Sequence, residues 1–399
     1  MSPPRFPPEI LDHIVDHLRG DTGTLTQCCL ASKACVPRTR RHLFAHIEFW
    51  SNRLKMWEKV FPDPTNSPAC YTRTLRIDLD GEDAEDCNWV RGFSRVEELS
   101  LSATDTFSTS FIPFYHLSCS LVSLHVSSDV IHPQVFGLIH SLPLLQDLTL
   151  TGYDIADLDD RFDGPQNTVL PLTSPPLTGS LRVFMEEEIT SAARRLLDLP
   201  NGLHFREIRL STYKEEDVYS IAELVATCSE TLECLYITFG VDSEIDSSYL
   251  PQSLELPFTV GFISNPSIDL SKVTNLKEVA FRCHSLRAGW ITSTLETITL
   301  EHQNLQLISI RIPRVLRSVA SATEAQEIEA NPSMRLLDLD HLLVQFWDSR
   351  SIRVRILYPP SLEGCRFFAE SAGRWIPYLF PELTRRGIVD IVEDVDGFL

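Results

Sequence analysis

The sequence lacks any apolar stretch that approaches the ~18–20 residues needed to cross a bilayer. No apolar run like that of a signal peptide follows the proline-rich start at residues 1–8. The ten cysteines also lack the dense, regular spacing of a secreted disulfide framework. We therefore expect a soluble chain that resides in the cytoplasm, the nucleus or both.

Positive charge is scarce as well. The chain has 35 Lys and Arg against 55 Asp and Glu, which gives a formal net charge of −20. Non-specific binding to nucleic acid needs a surface rich in Lys and Arg. Docking on an anionic membrane needs positive charge as well. The composition disfavours both kinds of partner and favours basic or neutral proteins.

Motifs that carry catalysis are missing too. The sequence has no Gly-x-Ser-x-Gly elbow, phosphate-binding Gly loop or dinucleotide fingerprint. His13 and His17 have metal-ligand spacing, but no Glu follows the first His as in zinc proteases, so a solvated helix face is the favoured interpretation. The adjacent Cys28 and Cys29 fit as small hydrophobes. The acidic run 78–86 departs from the calcium-loop pattern, and we interpret it as a solvated loop.

Three short helices are predicted before residue 50. In residues 7–19, Pro7 and Pro8 suit a first turn, Gly20 suits the end, and the apolar residues recur at helical spacing. A second helix starts near Asp21 or Thr24, and a third opens at Pro37 with Leu43, Phe44 and Ile47 on its apolar face. A unit this small is rarely stable alone, so its apolar surface must be covered by this chain or by another protein.

These helices carry a recognisable pattern. The stretch Phe6-Pro7-Pro8-Glu9-Ile10-Leu11 is followed by Ile14, Leu18, Leu25, Leu30-Ala31-Ser32-Lys33 and Arg41-His42-Leu43-Phe44. This order of residues resembles the F-box, although Phe6 stands where Leu is usual and Cys35 stands near a common Trp. The resemblance implies binding to a Skp-family adaptor, with the apolar groups inserted in its groove. The adaptor contacts it implies are Pro7, Pro8, Ile10, Leu11, Ile14, Leu18, Leu25 and Leu30.

A second sequence pattern, apolar-x-x-apolar-x-apolar, recurs from about residue 71 onward. Its spacing falls mostly within the ~20–29-residue period of leucine-rich repeats, a family that residues 71–358 resemble. Each copy predicts a short strand whose apolar residues face one core, with parallel strands stacked by helical or looped returns. The copies are centred on Leu75, Leu99, Leu124, Leu148, Val183, Ile208, Leu235, Val279, Ile298 and Leu337, and Leu256-x-Phe258 is a doubtful additional strand.

The family's usual Asn or Cys after each strand is absent here, so we expect an irregular array. Residues between the inward apolar positions would face a concave target-binding surface in such a fold. Two of them, Arg209 and Tyr236, are of types enriched at binding hot spots. The candidates on this surface are Glu98, Ser100, Ser123, His125, Asp147, Thr149, Glu207, Arg209, Glu233, Tyr236, Glu278 and Thr299.

The expected architecture is therefore α/β. It comprises an F-box-like helical domain (1–49), a linker (50–70), a leucine-rich-repeat-like solenoid (71–360) and a C-terminal helix and strand cap (361–399). The resemblances imply a non-catalytic substrate receptor of a Skp–cullin–F-box ubiquitin ligase, joined through the adaptor to a cullin–RING ligase, with no metal or cofactor. The alternatives are a repeat scaffold whose helices merely cap the first repeat, and an enzyme with an unrecognised site.

Overall fold

A computed structural model of the protein describes residues 7–50, 53–63, 67–79, 88–104, 112–155, 175–186, 189–212, 217–239, 267–283, 289–311, 336–358, 376–377 and 379–393. The chain forms two compact units. The first comprises Met1–Leu177 with Leu199–Asn201, and the second comprises Thr178–Asp198 with Gly202–Leu399. Helices alternate with parallel strands in both, so the expected α/β class is confirmed.

The first unit begins with the three expected helices, α1 (Pro8–His17), α2 (Thr22–Ala31) and α3 (Val36–Leu43). Proline occupies the first turn of α1 and of α3, where its missing N–H leaves no bond unmade. The third helix is shorter than the sequence predicted. Ile47 lies on strand β1 (His46–Phe49) and not on a helix, because the chain turns at Phe44 and Ala45.

Five parallel strands follow one another in the first unit. Strand β1 is succeeded by β2 (Thr74–Asp78), β3 (Glu98–Ala103), β4 (Ser123–Ile131) and β5 (Asp147–Ile155), each paired with the next. The described parts of the connections include α-helices: α4 (Arg53–Val60) lies within the segment assigned to a linker, and α5 (Gln134–His140) precedes β5. Short 3-10 helices occupy Pro68–Tyr71, Asn88–Gly92 and Ile112–Cys119.

The inward apolar residues of these strands line up across the pairing. Leu75, Leu99, Leu124 and Leu148 are partners in consecutive pairs and are almost completely buried. Burying one such side chain contributes about 1.5–3 kcal/mol, and a single short strand cannot bury its face alone. Stacking the strands in register therefore builds the core that the repeat pattern predicted.

The second unit continues the alternation over seven strands. They are β6 (Leu177–Met185, of which Leu177 belongs to the first unit), β7 (Leu203–Thr212), β8 (Cys234–Phe239), β9 (Glu278–Cys283), β10 (Leu307–Arg311), β11 (Arg353–Tyr358) and β12 (Val389–Glu393). The helices are α6 (Ile189–Leu197), α7 (Val218–Thr227), α8 (Gly289–Leu295), α9 (Leu337–Arg350) and α10 (Pro381–Arg386). No helix among the described residues has the length and apolar character to span a membrane.

Two predicted strands of this unit are wrong. The copy centred on Ile298 is a turn after α8, and its Leu300 is 80% exposed. The strand lies further on, where Ile308 is the partner of Val279. The copy centred on Leu337 is the start of helix α9.

The doubtful strand Leu256-x-Phe258 lies outside the described residues. Strands β8 and β9 pair directly, with Leu235 opposite Val279. No further strand therefore separates the two.

Thr, Asn and His side chains take the place of the missing asparagine ladder. Thr231 donates its hydroxyl proton to the carbonyl oxygen of Phe205 at 3.0 Å, and the amide of Asn275 donates to that of Glu230 at 2.6 Å. The buried imidazole of His302 lies 2.8 Å from the carbonyl oxygen of Leu270. Each bond links one turn of the array to the preceding one, and the His302 contact gives a partner to a buried backbone carbonyl that would be costly to leave unpaired.

The expected C-terminal helix and strand are present as α10 and β12. Phe367, Phe368, Trp375 and Tyr378 of the predicted apolar patch lie outside the described residues, while Ile376 is buried. The carboxylate of Asp340 on α9 accepts the backbone N–H groups of Glu382 and Leu383 at 2.7 and 3.0 Å. A side chain from a distant helix thus caps the first turn of α10.

Candidate interaction surfaces

The three N-terminal helices enclose a small core of their own. Val15, Leu25 and Cys35, one from each helix region, are buried against one another. Partly buried Leu18, Cys28 and Leu43 pack around them. Cys28 and Cys35 therefore serve as small hydrophobes, as the sequence suggested for the cysteines of α2.

Polar contacts fasten α1 to α3. Asp16 accepts a hydrogen bond from Nε of Arg38 at 2.6 Å and lies 2.8 Å from Nε2 of His42. The hydrogen bonds from Arg38 and His42 hold the pKa of the Asp16 carboxyl well below its usual range. Asp21 caps α2 by accepting the N–H and the hydroxyl proton of Thr24 at 2.9 and 2.6 Å. The Asp16 contacts thus join α1 to α3, while the Asp21 contacts stabilise the first turn of α2.

The same helices leave large apolar side chains in solvent. Ile10 and Ile14 on α1 are 47% and 49% exposed, and Leu30 at the end of α2 is 77% exposed. Ile10 and Ile14 are four residues apart, so they share one face of α1. We call Ile10, Ile14 and Leu30 the N-terminal apolar patch.

The remaining predicted adaptor residues divide into two groups. Pro7 and Pro8 are exposed and Leu11 is half-buried, so they are accessible beside the patch. Leu25 is fully buried and Leu18 packs against it, so both belong to the internal core and offer little or nothing to a partner. The F-box pattern itself cannot separate these roles, because an inward and an outward leucine satisfy it equally.

An aromatic cluster unites the helices with the first strands, a feature that the sequence analysis missed. Phe49 on β1 lies with its ring centroid 5.5 Å from that of Trp57 and 5.0 Å from that of Trp89. Trp57 in turn contacts Phe44 and Phe93. Edge-to-face pairs of this kind stabilise beyond the area they bury. The predicted linker therefore contributes α4 to a shared core.

The outward face of the first unit carries six predicted target-binding residues in two rows. One row aligns Glu98, Ser123 and Asp147, and the other aligns Ser100, His125 and Thr149. All six are exposed or half-buried, as the alternation of a strand requires. The face is polar, with small side chains between the charged ones.

The second unit presents a charged and aromatic group on its outward face. Nε of Arg209 lies 2.6 Å from Oε1 of Glu207, and the guanidinium carbon lies 4.4 Å from the ring centroid of Tyr236 on the next strand. Desolvation raises the pKa of the Tyr236 hydroxyl above its usual value, with Glu278 nearby adding to the effect. The phenol is therefore neutral and able to donate at physiological pH.

The other predicted target-binding residues of the second unit do not all lie on strands. Glu233 immediately precedes β8 and pairs with Lys277 at 2.6 Å, whereas Glu278 lies on β9. Thr299 is not on a strand: it lies in the turn that follows α8, where its backbone N–H donates to Nδ1 of His302. Thr299 therefore does not lie on a strand face, because the strand predicted around it does not exist.

Part of this outward face is apolar and buried, which alternation does not predict. Ala280 and Leu357 form a small cluster with Tyr236 and Val392 packed against it. Ser309 lies opposite Arg355 and is also buried. We expected this face to be exposed to solvent. The only indication in the sequence that part of it is buried is that Ala280 and Leu357 are uncharged.

His17, which has metal-ligand spacing from His13, contacts the backbone of its own helix. Nδ1 of His17 lies 2.9 Å from the carbonyl oxygen of His13. Burial raises the pKa of the Cys228 thiol to about 11, so it is protonated at neutral pH. The described ranges contain no group of three or more His, Cys, Asp or Glu that could hold a metal ion. Most of the acidic run 78–86 lies outside them.

No family model matches the chain. No curated protein matches it either.

Proposed function

We propose that this chain is the substrate-recognition subunit of a Skp–cullin–F-box ubiquitin ligase. Its N-terminal helices would dock on a Skp-family adaptor, and the outward face of its strands would hold a target protein. The chain would catalyse no step itself. It would raise the effective concentration of the target beside the associated transferase.

The N-terminal apolar patch carries the proposal. Burying Ile10, Ile14 and Leu30 against a groove removes apolar surface from water, and the two isoleucines have the spacing of helix-in-groove anchors. The F-box pattern places these same residues at the adaptor. The helices do not depend on the patch for their own core, which Val15, Leu25 and Cys35 form.

The outward strand face supports the second half of the proposal. Arg209 stacked on Tyr236 combines a planar cation with an aromatic ring, and both residue types are enriched at interface hot spots. The leucine-rich-repeat resemblance assigns target binding to this face. Strands in register present such residues as one continuous surface.

Adaptor binding is tested with the full-length chain and a purified Skp-family adaptor, by titration calorimetry. The variant is Ile10→Ala/Ile14→Ala, which keeps helix propensity while it removes two of the three side chains of the patch. About half of each side chain is exposed, so the loss is about 2 kcal/mol, or roughly 30-fold in Kd.

Leu144→Ala/Leu300→Ala is the matched control. Both leucines are exposed, at 47% and 80%, and both lie outside the N-terminal helices. This variant should bind the adaptor as the wild type does. A folded wild type that does not bind the adaptor would refute the ligase proposal and leave the repeat scaffold as the better description.

A further inference from the structure

Three neighbouring strands of the second unit carry a concentration of arginines on their outward faces. Strands β9, β10 and β11 pair in that order, and all three are parallel. The charged residues at their outward positions are Glu278, Arg282, Arg311, Arg353 and Arg355. Strands β3, β4 and β5 of the first unit contain no Lys or Arg at all. The outward face of β9–β11 is therefore locally basic in a chain with a formal net charge of −20.

The strand register brings three of these arginines together. Arg282 on β9 is the direct partner of Arg311 on β10. Arg355 on β11 is the partner of Ser309, which precedes Arg311 by two residues and shares its face. Neighbouring strands lie ~4.8 Å apart, and like charges opposite one another are destabilising, so this placement opposes folding. We call Arg282, Arg311 and Arg355 the outward arginine cluster.

The outward arginine cluster lies in a partly desolvated setting. Arg311 is 3% exposed, and its strand partner Leu357 is buried with Val392 opposite it. Nε of Arg355 is buried and makes no hydrogen bond within the described part of the chain, since Oδ2 of Asp390 lies 3.6 Å away. A guanidinium stays charged when it is buried, and a buried donor without a hydrogen bond costs free energy. The fold thus keeps positive charge on this face at the expense of stability.

We propose that the outward arginine cluster binds an anionic segment of the target protein, through its carboxylate or phosphate oxygens. The inference rests on the proposed function and adds the chemistry of the target to it. Planar guanidinium groups take both kinds of oxygen in bidentate pairs. Buried Ala280 and Leu357 lower the local dielectric beside the cluster, which strengthens such pairs. A bound anion also offsets the repulsion between Arg282 and Arg311.

A short anionic segment of a protein fits this face better than nucleic acid does. Nucleic acid binds through broad surfaces rich in Lys and Arg. The cluster is bordered by carboxylates on the same face: Asp390 lies opposite Arg355, and Glu278 lies on β9 four residues before Arg282. These carboxylates repel the backbone of a long polyanion that extends past the cluster, whereas a short segment ends between them.

The test is a fluorescence anisotropy titration of the full-length chain with labelled peptides at ~0.15 M and ~1 M salt. The carboxylate probe is an octaglutamate peptide. The phosphate probe is a glycine–serine peptide of the same length with phosphoserine at alternate positions, and its unphosphorylated form is the uncharged control. An oligouridylate of similar length represents nucleic acid.

The variant is Arg282→Gln/Arg355→Gln, and Arg194→Gln/Arg195→Gln is its matched control. The control arginines are exposed in the last turn of α6, so both variants remove two positive charges from the second unit. Gln keeps part of the aliphatic stem of Arg, which limits the loss of packing. The variant also removes the like charge opposite Arg311 and the buried Nε of Arg355, so its melting temperature should not fall below that of the control.

We expect at least one anionic peptide to bind the wild type and the control equally. The variant should bind that peptide roughly tenfold more weakly or worse, because hydrogen bonds to charged groups are lost. The affinity should fall at high salt, where the Debye length is ~3 Å. The peptide that binds more tightly identifies carboxylate or phosphate as the preferred group.

Two outcomes would overturn the inference. One is a variant that melts lower than the control and binds the peptides as the control does, since the arginines then serve the fold. The other is an oligouridylate that binds and depends on the cluster while neither anionic peptide does.

A second measurement needs no substitution. Hydrogen exchange of the wild type with the tighter peptide should slow in β9, β10 and β11, and protection elsewhere without protection there would also overturn the inference. Adaptor binding is scored separately on the same proteins. A wild type that binds the peptide through the cluster but does not bind the adaptor would refute the ligase role and uphold the anion site.

Discussion

Asp16 on α1 accepts a hydrogen bond from Nε of Arg38 on α3 at 2.6 Å, and this contact fastens two helices of the proposed adaptor site. The pKa of Asp16 lies well below its ordinary value because Arg38 and His42 stabilise the carboxylate. A depressed pKa contributes stability that is present above the ordinary value of about 4 and is lost as pH falls below it.

Asp16→Asn should therefore lower the melting temperature at pH 7, and the difference from wild type should shrink as the pH falls below about 4. Thermal melts of both proteins across pH 3–7 measure it. Glu223→Gln, an exposed carboxylate on α7, is the control and should melt like the wild type at every pH. A difference for Asp16→Asn that does not vary with pH would show that the contact is not electrostatic.

Gly152 permits a close approach of two strands. A Cβ at this position would lie 2.5 Å from the carbonyl oxygen of Ser128, a distance that real Cβ atoms do not adopt. The Ser128 carbonyl belongs to the backbone and cannot move aside as easily as the end of a flexible side chain. Gly152→Ala should therefore lower the free energy of unfolding, measured in urea, by about 1–3 kcal/mol. Gly20→Ala, whose Cβ would meet nothing within 4 Å, should change it by less than about 0.5 kcal/mol. Similar values for the two would contradict the tight pairing of β4 and β5.

His302 is a link in the polar contacts between repeats. Its Nε2 donates to the carbonyl oxygen of Leu270, and its Nδ1 accepts the N–H of Thr299. His302→Ala leaves two backbone groups without these partners, at a cost of about 2 kcal/mol or more in unfolding free energy. His204→Ala removes an exposed imidazole and should be nearly neutral. If the two variants unfold at the same urea concentration, His302 is not a structural link.

Asp340 should matter for the C-terminal part of the second unit. Asp340→Ala removes the cap of α10 and should cost about 1–2 kcal/mol, whereas Asp338→Ala should cost less. Both aspartates lie in the first turn of α9, but only Asp340 is buried against Glu382 and Leu383. Hydrogen exchange of the α10 amides reports the effect locally. Unchanged exchange in Asp340→Ala would argue against this role.

Much of the repeating core was predictable from residue types and spacing. Apolar residues two apart mark one face of a strand, and a period of ~20–29 residues places successive strands side by side. Leu75, Leu99, Leu124 and Leu148 satisfy both conditions, and they are partners in consecutive strand pairs. The three N-terminal helices were also predictable, because proline positions, capping residues and the helical spacing of apolar residues all indicated them.

The strand at Ile298 was predicted wrongly because two neighbouring segments of the sequence carry the same apolar pattern. Leu295-x-x-Ile298-x-Leu300 and Leu305-x-x-Ile308-x-Ile310 are equally good strands by residue type. The step from Val279 to Ile308 falls within the repeat period, while the step to Ile298 falls just short of it. Helix α8 occupies the return segment and pushes the strand later, a tertiary constraint that the local pattern does not contain.

Side-chain exposure was the least predictable part of the candidate site. Leu25 and Leu30 are both leucines on one short helix, yet one is fully buried and the other is 77% exposed. Which face turns inward depends on how α2 packs against α1 and α3, through Val15 and Cys35. On the strands, Ala280 and Leu357 likewise are buried on a face that alternation assigns to solvent.

The central claim is that a Skp-family adaptor docks on the N-terminal helices. Hydrogen–deuterium exchange of the full-length chain, with and without saturating adaptor, tests it most directly. We predict slower exchange in α1, α2 and α3, with β7, β8 and β9 unchanged. Protection confined to the strands, or no protection with adaptor present, would contradict the claim.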